Sequence, residues 1–210
     1  MLTEEDISYL KERFKEMDKE VTITLFVSDN CDLCKEDIEL LKELSSIDER
    51  IKLDIVDIEK DNKKAQLLGI KNAPAIVLTG DYTYPIYYLG SPIGYEFSAL
   101  IEDIINISKR NSELSNEIKQ KLKSINQNVE IKVFVTPSCP YCPGMVHTAH
   151  LFSMENNKIV SKMIECGENS EECEKYEVAA VPTVVINDKV RFEGLVSPNI
   201  LLQRVQESIE

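Results

Sequence analysis

The sequence is poor in several features that mark common classes of protein. It contains no run of about 18 apolar residues, which a membrane-spanning helix would need. Residues 1–20 are charged throughout and lack the apolar core of a secretory signal, so we expect a cytoplasmic protein. Positive charge is scarce too, because 24 Lys and Arg against 37 Asp and Glu give a net charge of -13. That balance argues against nucleic acid and anionic membranes as partners.

Cysteine is also sparse, and its number limits the kind of site to expect. Six cysteines in 210 residues are too few for a secreted disulfide scaffold. In a cytosolic chain, paired cysteines more often serve metal or redox chemistry. The length fits two small domains or one large one, and 43% hydrophobic residues suffice for ordinary cores. The abundance of Glu, Lys and Ile is typical of a thermophile.

A CxxC motif occurs twice, 108 residues apart. Cys31 and Cys34 form the first copy, and Cys139 and Cys142 form the second, within the stretch TPSCPYCP. The preceding segments match as well, since VTITLFV at 21–27 aligns with VEIKVFV at 129–135. Such β-branched runs predict buried strands that lead directly into each motif. The chain is therefore interpreted as two copies of one unit.

A proline repeats at the same spacing as the cysteines. Pro74 and Pro182 each open an apolar run, 43 residues after the first cysteine of the corresponding motif. Near the start of the two copies, Thr3 and Ser112 are candidate helix N-caps. No Gly- or Pro-rich linker separates the copies. We therefore expect units at 1–109 and 110–210 that pack against each other.

The order of helices and strands within a unit indicates the fold class. Helices alternate with strands, which predicts an α/β fold with a parallel sheet core. The last two strands of the unit lie close in sequence and predict an antiparallel hairpin. In the first unit the predicted strands are 21–27, 51–57, 75–79 and 85–89, and the predicted helices are about 3–18, 33–46, 61–69 and 94–108.

These features together resemble a known family. A strand, a CxxC at a helix start and a later strand-opening proline make each half similar to thioredoxins and glutaredoxins. Cys139-Pro-Tyr-Cys142 is similar to the glutaredoxin active-site sequence, and Ala180-Val-Pro-Thr183 to that family's cis-proline loop. The tandem arrangement resembles the protein disulfide oxidoreductases of thermophilic archaea and bacteria, over nearly the whole chain. The resemblance implies two tandem thioredoxin-like units, each a mixed central sheet flanked by helices.

The resemblance also implies the roles of the site residues. A cysteine at a helix N-terminus is stabilised as a thiolate by the helix dipole and free N–H groups, so the first cysteine of each pair attacks and the second resolves. Each proline is expected in cis, and the residue before it is expected to offer its backbone to an extended substrate peptide. The expected catalytic residues are Cys31, Cys34, Cys139 and Cys142, and the expected substrate-binding residues are Ala73, Pro74, Val181 and Pro182.

The sequence departs from thioredoxin where that family keeps an internal base. Leu25 and Val133 occupy the positions of its buried carboxylate, and no tryptophan precedes either motif. Glu130 and Asp54 are the candidates to replace that carboxylate.

The residues between the cysteines predict that the two sites are unequal. Asp32 places a carboxylate near Cys31, which should disfavour the thiolate and raise the pKa of that thiol. The second motif has Pro and Tyr instead. We therefore expect Cys139 to have the lower thiol pKa and to belong to the more oxidising site.

Structural zinc and purely structural disulfides are the alternatives for the two CxxC pairs. Both are disfavoured because each pair precedes its own helix and has its own proline, which a zinc site does not need. No metal site is expected. Cys166 and Cys173 have no counterparts in the first half, and they either form a structural disulfide or remain free thiols. His147 and His150 align with Glu39 and Lys42, which predicts a solvated helix face.

The expected function is thiol–disulfide exchange on protein disulfides, by reduction, oxidation or isomerisation. No bound cofactor is expected, since the cysteines carry the electrons. The resemblance implies a thioredoxin-reductase-like flavoenzyme using NADPH as the partner. One alternative is an electron carrier for a peroxidase, like the tandem module of alkyl hydroperoxide reductase flavoproteins, where only one CxxC usually survives. The other is a non-catalytic peptide-binding or chaperone module.

Overall fold

A computed structural model describes residues 2–210, in which helices and strands alternate through two similar halves. The first half contains α1 (Glu4–Arg13, extended by a 3-10 turn at Phe14–Glu16), β1 (Val21–Val27), α2 (Cys34–Ile47), β2 (Ile51–Asp57), α3 (Asn62–Leu67), β3 (Ala75–Thr79), β4 (Thr83–Leu89) and α4 (Glu96–Lys109). The second contains α5 (Asn116–Ser124), β5 (Val129–Val135), α6 (Cys142–Glu155), β6 (Ile159–Glu165), α7 (Ser170–Lys175), β7 (Thr183–Ile186), β8 (Val190–Glu193) and α8 (Pro198–Ile209). Within this range no helix is both long and apolar enough to cross a bilayer.

All eight strands belong to one mixed sheet in the order β2-β1-β3-β4-β6-β5-β7-β8. In the first half β1 pairs with β2 in parallel and with β3 antiparallel, and β3 continues into the antiparallel hairpin with β4. The second half repeats this pattern with β5, β6, β7 and β8. The predicted α/β class, with two tandem units of mixed sheet and flanking helices, is confirmed.

The repeat is conserved in position as well as in pattern. The spacing of 108 residues relates β1 to β5, α2 to α6, β2 to β6 and α3 to α7 without a shift. It breaks at the second hairpin, whose turn contains Asn187 and Asp188 with φ of 52° and 55°. Two successive left-handed residues make the tight turn that joins antiparallel strands most directly, and Asn and Asp tolerate that conformation. Three residues join the strands in both halves, and the hairpin of the second half is shorter because β7 and β8 have four residues each, against five in β3 and seven in β4.

The predicted N-caps had different outcomes. Thr3 caps α1, and its hydroxyl and the Asp6 carboxylate form a reciprocal capping box. Ser112 does not cap α5, which is a correction, because Ser115 takes that place. The reason is the path of the connection: Arg110 ends α4 in the left-handed conformation with φ of 56°, and the chain needs further residues before it can turn into α5. The Ser112 hydroxyl donates instead to Glu155 Oε1 at 2.5 Å.

The two halves join through strand pairing and through helix packing. β4 lies parallel to β6, with Ile86 opposite Ser161 and Leu89 opposite Ile164. On one face of the sheet α4 packs against α6, so a single apolar core runs through both halves. The expectation that the halves pack together is confirmed. The division into units 1–109 and 110–210 stays a prediction, since a shared sheet does not show that either half folds alone.

Candidate active sites

Both CxxC pairs are closed disulfides at the carboxyl ends of the first strand of each half. The bonds are Cys31–Cys34 after β1 and Cys139–Cys142 after β5. The second cysteine of each pair is the first residue of a 14-residue helix. Cys34 is 4% exposed and Cys142 is fully buried, so the second cysteine of each pair is covered. Of the first cysteines, Cys139 is 6% exposed, while Cys31 is half-buried.

The helix that follows each pair stabilises negative charge on the cysteine sulfurs. The dipole and the unpaired amides of a helix N-terminus favour a thiolate there, which is the nucleophile in disulfide exchange. In the second motif Pro143 lies in the first turn of α6, where a missing amide hydrogen costs nothing.

In each unit that contains a CxxC disulfide, a cis peptide bond lies directly before the third strand. The bonds are Ala73–Pro74 and Val181–Pro182, both cis as predicted. Each proline carbonyl accepts a hydrogen bond from a glycine amide, Gly90 at 2.9 Å in one half and Gly194 at 2.8 Å in the other. The strands β3 and β7 begin one residue later, so the backbone of Ala73 and Val181 lies outside their ladders.

A third disulfide closes the connection between β6 and α7. Cys166 and Cys173, for which a disulfide or free thiols were open from the sequence, are bonded. The closed loop reaches the first half: the Ser91 amide donates to the Glu168 carboxylate at 3.1 Å, and the Asn169 side chain donates to Leu89 O at 3.0 Å. The bond therefore holds a segment that contacts the first half.

The surroundings of the two CxxC sites differ. Next to the first is a cleft of about 660 Å³ between the halves, in which four carboxylates, Glu59, Glu168, Glu171 and Glu172, outnumber one cation, Lys71. Asn30 and Ala73 also line it on the side of the first motif. Next to the second, Tyr141 is 65% exposed, and Leu195 lies 3.3 Å from where a side chain on Gly144 would begin. The first site is bordered by acidic groups and the second by apolar ones.

The two carboxylates proposed from the sequence as internal bases lie away from the disulfides. Glu130 is near the amino end of β5, opposite the end that leads to Cys139, and its carboxylate pairs with Lys162 at 3.1 Å. Asp54 is in the middle of β2 and pairs with Lys64 at 2.5 Å. Both form surface ion pairs, which is why neither is available as an internal base, and that expectation is corrected.

Other carboxylates, which the sequence did not single out, are buried instead. Asp37 on α2 is fully buried, and burial raises its pKa to about 6, although a hydrogen bond from Ser91 opposes the shift. Glu96, the first residue of α4, is 1% exposed. Burial and then repulsion from Glu165 raise the pKa of Glu96 to about 8. The neighbouring Tyr95 amide donates to Pro137 O at 3.3 Å, which puts the start of α4 against the loop that leads to the second motif.

The histidine pair lies in the junction between the halves, and the predicted solvated face is wrong. His150 is fully buried, with Nδ1 2.5 Å from Asp103 Oδ2, and His147 Nδ1 is 2.7 Å from Asp103 Oδ1. The Tyr88 hydroxyl also donates to Asp103 at 2.5 Å. Burial alone would raise the pKa of Asp103, but the two histidines hold it at about 2.

The physical reason is the packing of α6 against α4, which covers a face that α2 leaves to solvent. The sequence carried a signal for this. The helix α2 has six charged residues, whereas α6 has one, Glu155, apart from its histidines. A helix without a charged face is a buried helix.

Comparison with known proteins identifies relatives of this chain. A model of the thioredoxin domain matches residues 129–206. A protein disulfide oxidoreductase from Aeropyrum pernix superposes with a TM-score of 0.91 at 30% identity, over 98% of this chain and 93% of that one. The chain belongs to the thioredoxin-fold disulfide oxidoreductases.

Other relatives of this oxidoreductase include alkyl hydroperoxide reductases. A domain of alkylhydroperoxide reductase from Enterococcus faecalis superposes with a TM-score of 0.91 over 98% of this chain and all of that one; at 21% identity it shows the shared fold. In sequence, an alkyl hydroperoxide reductase component of Staphylococcus aureus is 28% identical over 83% of this chain. A protein named NADH dehydrogenase from Ferdinandcohnia aciditolerans is 28% identical over 87%. The chain spans about a third of the length of these curated relatives (33% and 32%).

The resemblance inferred from the repeated CxxC and proline is therefore confirmed. Among residues 2–210, no three His, Cys, Asp or Glu side chains converge in an arrangement that would hold a metal ion.

Proposed function

We propose that the chain catalyses thiol–disulfide exchange on protein substrates at both CxxC sites. The observation that carries the proposal is the doubled arrangement of a disulfide at a helix start with a cis-proline before the third strand of the same unit. Structural disulfides do not need the helix or the proline. The reaction oxidises a dithiol and reduces a disulfide by two electrons, so the cysteines suffice as carriers and no bound cofactor is required.

In the reducing direction, the first cysteine of a reduced pair attacks as a thiolate. At the second site the Cys139 sulfur attacks one sulfur of the substrate disulfide, and the other substrate sulfur leaves as a thiolate that takes up a proton. The Cys142 thiolate then attacks Cys139, releases the second substrate sulfur and restores the Cys139–Cys142 bond. Cys31 and Cys34 follow the same sequence at the first site. Running the steps backwards oxidises a substrate dithiol.

The peptide segments before the prolines are proposed to hold the substrate. Ala73 and Val181 have backbone groups outside the strand ladders, and an extended peptide can pair with them as an added strand. The exposed Tyr141 and Leu195 beside the second site support binding of unfolded, apolar segments there. Protein disulfides are therefore the proposed substrates.

Reducing equivalents are proposed to come from a thioredoxin-reductase-like flavoenzyme that uses NADPH. The support is the match to parts of two longer proteins, the alkyl hydroperoxide reductase component and the protein named NADH dehydrogenase. A cytoplasmic location is part of the proposal, because a cytosolic reductant pool keeps such pairs cycling.

Reduction of insulin by dithiothreitol tests the function. We expect Cys31→Ser and Cys139→Ser each to lose part of the turnover and the double variant to lose all of it above the uncatalysed rate. The matched control is Cys166→Ser with Cys173→Ser, which also removes a disulfide but should keep turnover. Wild-type turnover in the Cys31→Ser/Cys139→Ser variant would overturn the enzyme proposal and favour a peptide-binding module.

A second candidate is an electron carrier for a peroxidase, favoured by the 28% identity to the alkyl hydroperoxide reductase component. The test gives the reduced chain a choice between an oxidised peroxiredoxin and insulin. Transfer to the peroxiredoxin alone would establish the carrier, whereas efficient reduction of insulin supports the broader protein disulfide activity.

A further inference from the structure

Asp37 lies one helical turn after Cys34, on the same side of α2. The buried residues of that helix are Cys34, Asp37, Leu41 and Leu44, which form its inward face. Side chains three positions apart on a helix are neighbours, and helical side chains lean toward the amino end. The Asp37 carboxylate is therefore directed back toward the turn that holds the first disulfide. A charged group on an otherwise apolar inward face requires an explanation.

The two oxygens of this carboxylate have different surroundings. The Ser91 hydroxyl donates to Oδ1 at 2.6 Å. The other oxygen, Oδ2, is buried and has no hydrogen-bond partner among the described residues. An unsatisfied buried acceptor is costly, so a native protein rarely keeps one in every state of its cycle.

The redox state of Cys34 decides whether the inward face of α2 carries a sulfur-bound proton. In the disulfide the Cys34 sulfur carries no proton, whereas the reduced cysteine has an S–H group on the same helix face. Because Cys34 is 4% exposed, water has little access to that proton. A resolving thiol has to lose it before it can attack.

We propose that Asp37 accepts the proton of Cys34 when the first site resolves its mixed disulfide. The inference rests on the proposed exchange chemistry at that site. In this step the Cys34 S–H bond breaks and the proton passes to Asp37 Oδ2. The Cys34 sulfur then bonds to Cys31, the bond between Cys31 and the substrate sulfur breaks, and the substrate leaves as a thiolate. Asp37 returns the proton to the Cys34 thiolate when the Cys31–Cys34 bond is next reduced.

The groups that face Asp37 come from three segments. Glu36 is its neighbour on α2, Ser91 follows β4, and Glu168 belongs to the loop closed by the Cys166–Cys173 disulfide. Burial and Glu36 raise the pKa of Asp37, Ser91 lowers it, and the outcome is about 6. A proton acceptor near neutrality is well matched to transfer at pH 7. The equivalent position of the second unit is Met145, so the arrangement belongs to the first site alone.

Ellman's reagent separates the two steps in one experiment. The protein carries Cys139→Ser and Cys142→Ser, and Cys31–Cys34 is reduced under conditions in which mass spectrometry shows Cys166–Cys173 intact. Attack by Cys31 releases the first coloured thiolate, and resolution by Cys34 releases the second. We expect Asp37→Asn to slow the second release at least about tenfold at pH 7 and to leave the first within about twofold.

The matched control is Glu39→Gln, which removes the same charge from the exposed face of the same helix. It should leave both releases unchanged. Ser91→Ala keeps the carboxylate but removes its anchor, and it should slow the second release by a smaller factor. The second release should also lose its dependence on a group titrating near pH 6 in Asp37→Asn.

Three results would overturn the proposal. These are an unchanged second release in Asp37→Asn, equal slowing by Glu39→Gln, or slowing of both releases together, which would indicate a structural role. If Asp37→Asn does not fold, an unchanged second release in Ser91→Ala overturns it. Failure of the function itself is separate, since the unmutated protein would then not reduce insulin although Ellman's reagent still showed two releases.

Discussion

His150 and Asp103 meet across the junction of the two halves, with Nδ1 of the histidine 2.5 Å from Oδ2 of the carboxylate and neither side chain accessible to solvent. Asp103 belongs to α4 and His150 to α6. The carboxylate also accepts from the Tyr88 hydroxyl and lies 2.7 Å from His147. One side chain of the first half thus satisfies polar groups on two other elements.

Replacing that carboxylate should destabilise the protein strongly. Asp103→Asn removes a charge around which two buried groups, Tyr88 and His150, and the half-buried His147 are arranged. Breaking a buried charged network costs about 3–5 kcal/mol. We expect a loss of at least about 3 kcal/mol in the free energy of unfolding, measured by urea denaturation of the oxidised protein at pH 7. Glu5→Gln, an exposed carboxylate on α1, is the control and should change it by less than about 0.5 kcal/mol.

The decrease in the free energy of unfolding at acid pH should also depend on Asp103. The pKa of Asp103 is held at about 2, below its value of about 3.9 in an unfolded chain. A depressed carboxylate stabilises the fold above its unfolded pKa, and that contribution is lost as pH falls from about 5 toward 2. Asp103→Asn should therefore flatten the decline in stability below pH 5. An unaltered decline would contradict the assigned pKa.

Glu96 should give the stability a pH dependence of the opposite sign. Its pKa is raised to about 8, so the folded protein holds a proton that the unfolded chain has released. Stability should therefore fall as pH rises from about 4.5 to about 8. We expect Glu96→Gln to stabilise the protein by about 3 kcal/mol more at pH 9 than at pH 5, from urea midpoints at both values. Glu5→Gln should show no such difference, and a pH-independent effect of Glu96→Gln would refute the raised pKa.

Gly90 should tolerate no side chain. It has φ of +109°, and an added Cβ would lie 2.6 Å from the Cβ of Glu165 in the other half. Gly69, with φ of +69° and no atom within 4 Å of its Cβ position, isolates the backbone strain. Gly69→Ala should cost about 1–2 kcal/mol and Gly90→Ala clearly more, at least about 3 kcal/mol, in urea unfolding. Equal costs would mean that the halves are not held rigidly at Gly90.

The two attacking thiols should titrate differently. Asp32 lies within the first motif, and the carboxylates in the cleft beside that motif outnumber its one cation, Lys71, whereas the second site has apolar neighbours. Negative charge disfavours a thiolate, so we expect a lower pKa for Cys139 than for Cys31. The rate of alkylation by iodoacetamide against pH, in variants that retain one site each, measures both. Asp32→Asn should lower the Cys31 pKa, and a lower pKa for Cys31 than for Cys139 in the parent variants would contradict the prediction.

Local patterns in the sequence were sufficient for most of the fold. The strands 21–27, 51–57 and 75–79 were predicted to the residue, because their β-branched runs end at turn residues or at the motif. The two cis-prolines followed from the resemblance to thioredoxins and glutaredoxins, which the shared spacing of prolines and cysteines supported. The internal repeat supported these predictions, since the same strand, cysteine and proline pattern occurs in both units.

The long-range polar contacts were not predicted, for a physical reason. Asp37 with Ser91, and Asp103 with His150, are separated by 54 and 47 residues, and nothing in the local pattern around either residue records its partner. Burial of Asp103 and His150 depends on the docking of α4 on α6. The only local signal was the absence of charge along α6, and it indicates burial without naming the partner.

The pairing of β4 with β6 has a consequence for assembly. In the repeat, β4 corresponds to β8 and β6 to β2, and β8 and β2 are the outer strands of the sheet. The two halves are therefore joined head-to-tail, and the free edges at β8 and β2 correspond to the strands β4 and β6 that pair at the join. Such an interface does not close on itself, so a further unit can pair with either free edge in the same way. The growth is opposed by the short β8, with charged Arg191 and Glu193, and by Lys52 on β2. Addition of further copies at these edges is thus limited by the chemistry of the outer strands, because the symmetry of the join imposes no limit.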